Sequence, residues 1–369
     1  MNQSFGARFS GLRLTDVLHM IATIAAVAIL GAAAWNVLRH PSPVDFISFW
    51  AAGRMGAGAY DIAAHHALEA TVIPFNGVQP FPYPPPFLFI IAPFSQLKFG
   101  AAFLAWIAAT GMFYAAAVRR FDFPPIVATG MIGQASFLTT GLFAFGLRLL
   151  RESSVLAGVL FGCLVIKPQI GVLIPLALIA SRRWSAFVAA VMTALGLCLL
   201  ALVVFGPSAY AGFFAKLPLY ASLARSGKWQ WTELASTYAF ARAVGFNDAA
   251  AMAIQVVGAV AGVALTWRAW RHDWASAPAM VAAATVLVSP YFFTYDALLL
   301  ALPFAFLVQR NPVAALAVWL LTLLPVLAFF GLYGGPNTAP LAAAISIAVL
   351  SHGESGAVLQ TAEPDSLSA

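Results

Sequence analysis

Two charged side chains in this 369-residue chain stand where apolar sequence should exclude them. Asp45 lies in "PSPVDFISFW", just after the first long apolar run and beside Phe46, Phe49 and Trp50. Lys167 lies in "LVIKPQIGV", in the middle of another apolar run. A carboxylate in a semi-apolar setting has a pKa poised for taking a proton, the task of a general base. The same residue is a favoured helix N-cap, and one carboxylate can serve both ends. A lysine at membrane depth costs roughly 2.5–3.5 kcal/mol on insertion scales and is functional by default. Its partner there is a lipid phosphate or a carboxylate. Snorkelling to the interface is the alternative, but it needs a nearby helix end.

Other candidates cluster around these two. Arg54 follows in "AAGRMG", Tyr83 precedes three prolines in "FPYPPPF", Gln134 follows Gly133, and Gln169 completes a Lys-Pro-Gln turn. The stretch "SPYFFTYD" places Tyr291, Tyr295 and Asp296 between two apolar runs, where Asp296 reads first as an N-cap. The loop "SLARSGKWQWTEL" carries Arg225, Lys228, Trp229, Trp231 and Glu233. Cations among tryptophans suit an anionic lipid headgroup or a sugar stacked on an indole, and equally an ordinary interfacial loop. His65 and His66 have no third ligand at metal spacing, so no metal is expected. Walker, GxSxG and Rossmann patterns are missing from the sequence, which leaves nucleotide chemistry unsupported and no cofactor expected.

The elements that must position these residues are membrane helices. The chain is 62% hydrophobic and only 9% charged, with mean hydropathy +0.88; a soluble domain carries about a quarter charged residues. Recurrent apolar runs of roughly 20 residues predict an all-α polytopic fold of about 10–12 membrane helices, some of them short or broken. The net charge of +6 comes from basic residues in ones and twos at run ends. That pattern orients a membrane protein and gives no support for a nucleic-acid partner. Cys163 and Cys198 fall inside apolar runs, as small hydrophobes do.

The first run, about 14–38, is too long for a signal-peptide core and is expected to stay as a helix. Arg8 and Arg13 before it place the N-terminus in the cytoplasm and Asp45 on the opposite face. Residues 41–85 then form an extracytoplasmic, interfacial segment of short helices that ends at the prolines. Residues 86–118 hold a short or re-entrant helix followed by a span. Putting Arg148 with Arg151, Arg182 with Arg183, Arg268 with Arg271, and Arg310 on the cytoplasmic face brings Gln134, Lys167, a 207–247 loop, "SPYFFTYD" and "YGGPN" to the side of Asp45. Residues 155–166 and 169–181 are too short for either to cross a roughly 30 Å core, so the Lys-Pro turn lies within the membrane beside a cavity. A single domain, 1–350, precedes a disordered cytoplasmic tail, 351–369.

In order, "AGR", "YD", "YPPP", Gly133-Gln134, "LAGVLFGCLVIKPQIGVLIPLALIASRRW", "VFGPSAY", "STYAFARAVG" and "SPYFFTYD" make a pattern. It resembles glycosyltransferase family 87, the polyprenyl-phosphate-mannose-dependent mannosyltransferase-like proteins of the GT-C superfamily, from about residue 42 to about 310. The resemblance implies a bacterial inner-membrane enzyme whose site faces the periplasm. It would move a hexose, mannose by family likeness, from a polyprenyl-phosphate-sugar donor to a lipid or glycan acceptor with inversion. In the family pattern Asp45 is the catalytic base, and Lys167 or a loop cation meets the phosphate. Arg54, Tyr83, Gln134, Gln169, Lys228, Tyr291, Tyr295 and Asp296 are the further residues expected to hold substrate. Tyr291 stands where some members carry histidine. Two other classes fit parts of the sequence. A secondary transporter shares broken helices and an intramembrane lysine, but the two matching halves of such carriers are not found. A non-catalytic, polyprenyl-lipid-binding assembly protein of a cell-envelope glycan pathway would keep full function without the Asp45 carboxylate.

Overall fold

Hydrocarbon offers a backbone N–H or C=O no partner, so a chain this apolar must satisfy its main chain within helices or a closed barrel. The computed structural model describes residues 14–39, 45–73 and 79–360, and helices account for its regular structure. Arg8 and Arg13 lie outside the described residues. Among those described, extended pairing is confined to one isolated bridge, Leu234 with Phe293.

Helix α1 is Leu14–Arg39, and α2 (Phe46–Met55), a 3-10 turn (Gly56–Tyr60) and α3 (Ile62–Ala70) follow. Next come α4 (Phe87–Ser95), α5 (Phe99–Val118), α6 (Pro125–Ile132), α7 (Ser136–Leu149) and α8 (Ser154–Gly162). Short α9 (Pro168–Gly171) and α10 (Ile174–Ala180) lead into the long α11 (Trp184–Arg225), then α12 (Thr237–Ala243), α13 (Asp248–Arg271) and α14 (Ala277–Val288). A 3-10 helix (Thr294–Leu300), α15 (Ala301–Arg310), α16 (Pro312–Ala328) and α17 (Ala339–Gln360) complete the order. Helices α5, α11 and α13 are long and apolar enough to cross a membrane, and shorter apolar helices lie among them. The fold is all-α and polytopic. Leu195, Leu199 and Val203 on α11 are exposed, as lipid-facing side chains should be.

The Lys-Pro break takes the form its spacing predicts. Helix α8 tightens into a 3-10 turn, Cys163–Ile166, and Lys167 leaves helical geometry at φ −147° and ψ 75°. Pro168 then opens α9, where its missing N–H costs nothing. Gly158 and Gly162 let α8 lie close against α11: a Cβ at Gly158 would collide with the Ala186 carbonyl oxygen, and one at Gly162 would sit 2.6 Å from that of Ala190. This is the small-residue packing of membrane helices. Arg183 donates to the Leu150 carbonyl at 2.8 Å, so two of the basic turns share one end of the bundle.

Two expectations need correction. Residues 207–225, expected as loop, are helical. Gly206 takes up a kink at φ +77°, and Pro207 behind it is pre-set for a first helical turn. The expected tail begins as helix, because α17 runs on to Gln360. Phe46 through Ala52 of α2 are all buried, because Phe46 and Phe49 pack their rings against Phe87, Phe103 and Trp106.

Candidate active site

Asp45 occupies the N-cap position of α2, yet its side chain makes no capping bond. Its backbone carbonyl accepts from Ser48 N at 3.2 Å and from Ser48 Oγ at 3.0 Å. The carboxylate is left to Gln134, whose Nε2 donates to Oδ2 at 2.6 Å. The Tyr83 hydroxyl donates to Gln134 Oε1 at 2.8 Å, which turns the amide so that its nitrogen meets Asp45. A relay Tyr83–Gln134–Asp45 results. Burial pushes the Asp45 carboxyl up from its ordinary range, while the Gln134 hydrogen bond and the charge of Lys167 pull it back.

Local sequence explains why Gln134 arrives there. Gly133 ends α6 in the left-handed region at φ +76°, and any Cβ on it would sit 2.5 Å from Phe46 Cβ. Its carbonyl accepts from Trp106 Nε1 at 2.9 Å, so the turn is bolted to α5. Tyr83 is set by the prolines that follow it and by its ring, stacked on Phe87 at 4.5 Å. Its carbonyl accepts from the Tyr60 hydroxyl at 2.9 Å.

Lys167 is buried and paired. Its Nζ lies 2.6 Å from Asp296 Oδ1, which also accepts from Ser136 Oγ at 2.7 Å. The ammonium sits over the rings of Tyr295, 4.9 Å away, and Tyr83, 5.4 Å away. Asp296 is thus not the N-cap that its position suggests. Phe293 holds that place in the 3-10 helix, and Asp296 lies one turn in, buried.

Two cavities meet here. The larger, about 810 Å³, is lined by Lys167, Gln169 and Tyr291 together with Phe213, Phe214 and Leu217 from the second half of α11. The smaller, about 360 Å³, is lined by Asp45, Ser48, Gln79, Gln134, Glu233 and Thr294. Tyr83, Trp229, Phe293 and Tyr295 line both and form a shared aromatic wall. Among the described lining residues, Lys167 is the one cation in the larger cavity, and the smaller has none.

The fold therefore brings together Asp45, Tyr83, Gln134, Lys167, Gln169, Tyr291 and Tyr295. It leaves out Arg54, which donates to the Ser95 carbonyl at 2.8 Å and stacks on Trp50. It also leaves out Lys228, an exposed side chain that lines neither cavity. Asp296 lines neither cavity and instead holds Lys167. Glu233 and Trp229, treated in the sequence only as parts of a mixed loop, line the smaller cavity and the wall. The acid two places after Trp231 was a usable signal; Ser48, Gln79 and Thr294 offered none. His65 and His66 face Glu69 at 3.5 and 3.7 Å, and no metal-holding group of three or more His, Cys, Asp or Glu occurs among the described residues.

A polytopic helical fold with charged groups buried beside two adjoining cavities defines a class of membrane protein with an internal site. The chain matches the family model of glycosyltransferase family 87 over residues 81–290, more than half its length, and belongs to that family, which is of the GT-C type. It is a membrane glycosyltransferase. No curated protein and no solved structure matches it. The matched span holds Tyr83, Gln134, Lys167 and Gln169 and stops short of Asp45, Tyr291, Tyr295 and Asp296.

Proposed function

We propose that the chain moves a hexose, mannose by family likeness, from a polyprenyl-phosphate sugar to a hydroxyl of a lipid or glycan acceptor at the extracytoplasmic face of a bacterial inner membrane. One observation carries the reading: a buried ammonium and a carboxylate line two adjoining cavities that share the rings of Tyr83, Trp229, Phe293 and Tyr295. The isoprenoid end of the donor suits the larger, apolar cavity, with its phosphate beside Lys167. The acceptor hydroxyl suits the smaller cavity, at Asp45.

In this scheme the Asp45 carboxylate takes the hydroxyl proton as the acceptor oxygen forms a bond to the sugar C1. The bond from C1 to the phosphate oxygen breaks, and its electron pair leaves with the polyprenyl phosphate. Attack from the side opposite the leaving group inverts C1. The phosphate needs no proton to leave, and the Lys167 ammonium meets the charge it gains. Gln134 and Tyr83 keep the base aimed; Asp296 and Ser136 keep Lys167 in place until phosphate arrives.

The test is Asp45→Asn, assayed for transfer from radiolabelled polyprenyl-phosphate mannose in membranes. General-base catalysis is worth about 10²–10⁴-fold, so the rate should fall by that factor at unchanged expression. Transfer by Asp45→Asn at the wild-type rate would overturn the mechanism.

A further inference from the structure

Glu233 has a fixed main chain and an open side chain. Its carbonyl accepts from Thr294 N at 2.9 Å, from Thr294 Oγ1 at 3.1 Å and from Asn337 Nδ2 at 3.4 Å. Asn337 is itself buried and donates to Thr294 Oγ1 at 2.9 Å. The bridge between Leu234 and Phe293 ties down the next residue. The side chain of Glu233 remains exposed and lines the smaller cavity with Asp45.

The cations of the same loop turn elsewhere. Arg225 pairs with Asp248 at 2.7 Å, and Lys228 stays outside both cavities. What the loop presents to the cavity is a carboxylate and the indole of Trp229. Carboxylate oxygens accept sugar hydroxyls in charge-assisted hydrogen bonds, and an indole face covers the apolar face of a sugar ring. Ser48, Gln79 and Gln134 add neutral polar groups to the same lining. A second carboxylate there, with no cation lining the cavity among the described residues, repels any anionic guest at close range.

We infer that the smaller cavity takes an uncharged sugar of the acceptor, gripped by Glu233 and Trp229, and rejects sugars that bear a carboxylate or phosphate. The inference rests on the functional reading above, since it makes this cavity the acceptor side.

The experiment is saturation-transfer NMR on the full chain in detergent, with methyl mannopyranoside and a methyl hexuronoside as probes. The wild type should bind the neutral glycoside at least about tenfold more tightly, the factor that roughly 1.4 kcal/mol of repulsion gives. Glu233→Gln, which keeps the side-chain shape, should narrow that gap, and Glu233→Lys should reverse it. Equal binding of the two glycosides, saturation of neither, or an unchanged ratio in Glu233→Gln overturns the inference. These readouts need no turnover. Failure of the functional reading itself would show separately, as wild-type transfer by Asp45→Asn.

Discussion

Asp45 sits at a helix start and leaves the usual duty of an acid there undone. Its carboxylate is spent on Gln134, and that choice sets a pH dependence. As the proposed base, Asp45 must be ionised to work, and burial raises its pKa. Transfer should therefore fade on acidification at a pH above the ordinary aspartate value of about 3.9. Gln134→Leu removes a bond that favours the ionised form, so the acid limb of the rate profile should move to still higher pH; a limb that stays in place or moves down refutes the assignment. Lys167 allows a second test. Lys167→Met alone leaves Asp296 as a lone buried charge, at a cost of about 3–5 kcal/mol, and should depress the unfolding midpoint. Adding Asp296→Leu removes both charges and should restore the midpoint while transfer stays lost. If the double variant regains transfer, the lysine serves only the fold. Asp45 and Lys167 were legible in the sequence because a charge in apolar surroundings stands out. The directions of Arg54 and Glu233 were not legible, because a sequence does not say which way a side chain at a helix end or in a loop turns.

At the scale of elements, proline and glycine carried both the legible and the illegible parts. The break before Pro168 could be read, because a proline inside an apolar run must interrupt its hydrogen bonds. The pair Gly206-Pro207 looked like the start of a loop, but the same two residues also begin a helix after a kink, and here they do. The burial of α2 was hidden for a different reason: its aromatics match an interfacial belt equally well, and only the partners on α4 and α5 reveal the packing. The close seat of α8 on α11 depends on Gly158 and Gly162. Gly158→Val forces a side chain into a backbone carbonyl, and overpacking of this kind costs about 1–3 kcal/mol. A lowered unfolding midpoint in detergent is expected; Val191→Ala on the exposed side of α11 serves as the neutral control, and equal midpoints for both would show that the close approach is not required.

Across the whole molecule, composition announced the membrane, and the order of motifs announced the family. The separation of the site into two cavities was not legible, because its wall draws Tyr83, Trp229, Phe293 and Tyr295 from three distant segments. Trp229 meets Phe293 edge-on at 5.6 Å, and Phe293 stacks on Tyr295 at 5.3 Å. Such a partition governs competition between reactants as much as it governs binding. Water is always the more abundant hydroxyl, and a transferase must deny it the activated sugar. Trp229→Ala opens the wall and should divert part of the donor to free hexose, raising the ratio of hydrolysis to transfer even where total donor consumption changes little. An unchanged ratio would mean that the rings do not divide the two reactants. If that ratio rises, the four aromatics act as a bulkhead between donor and water, and the fidelity of the enzyme depends on it.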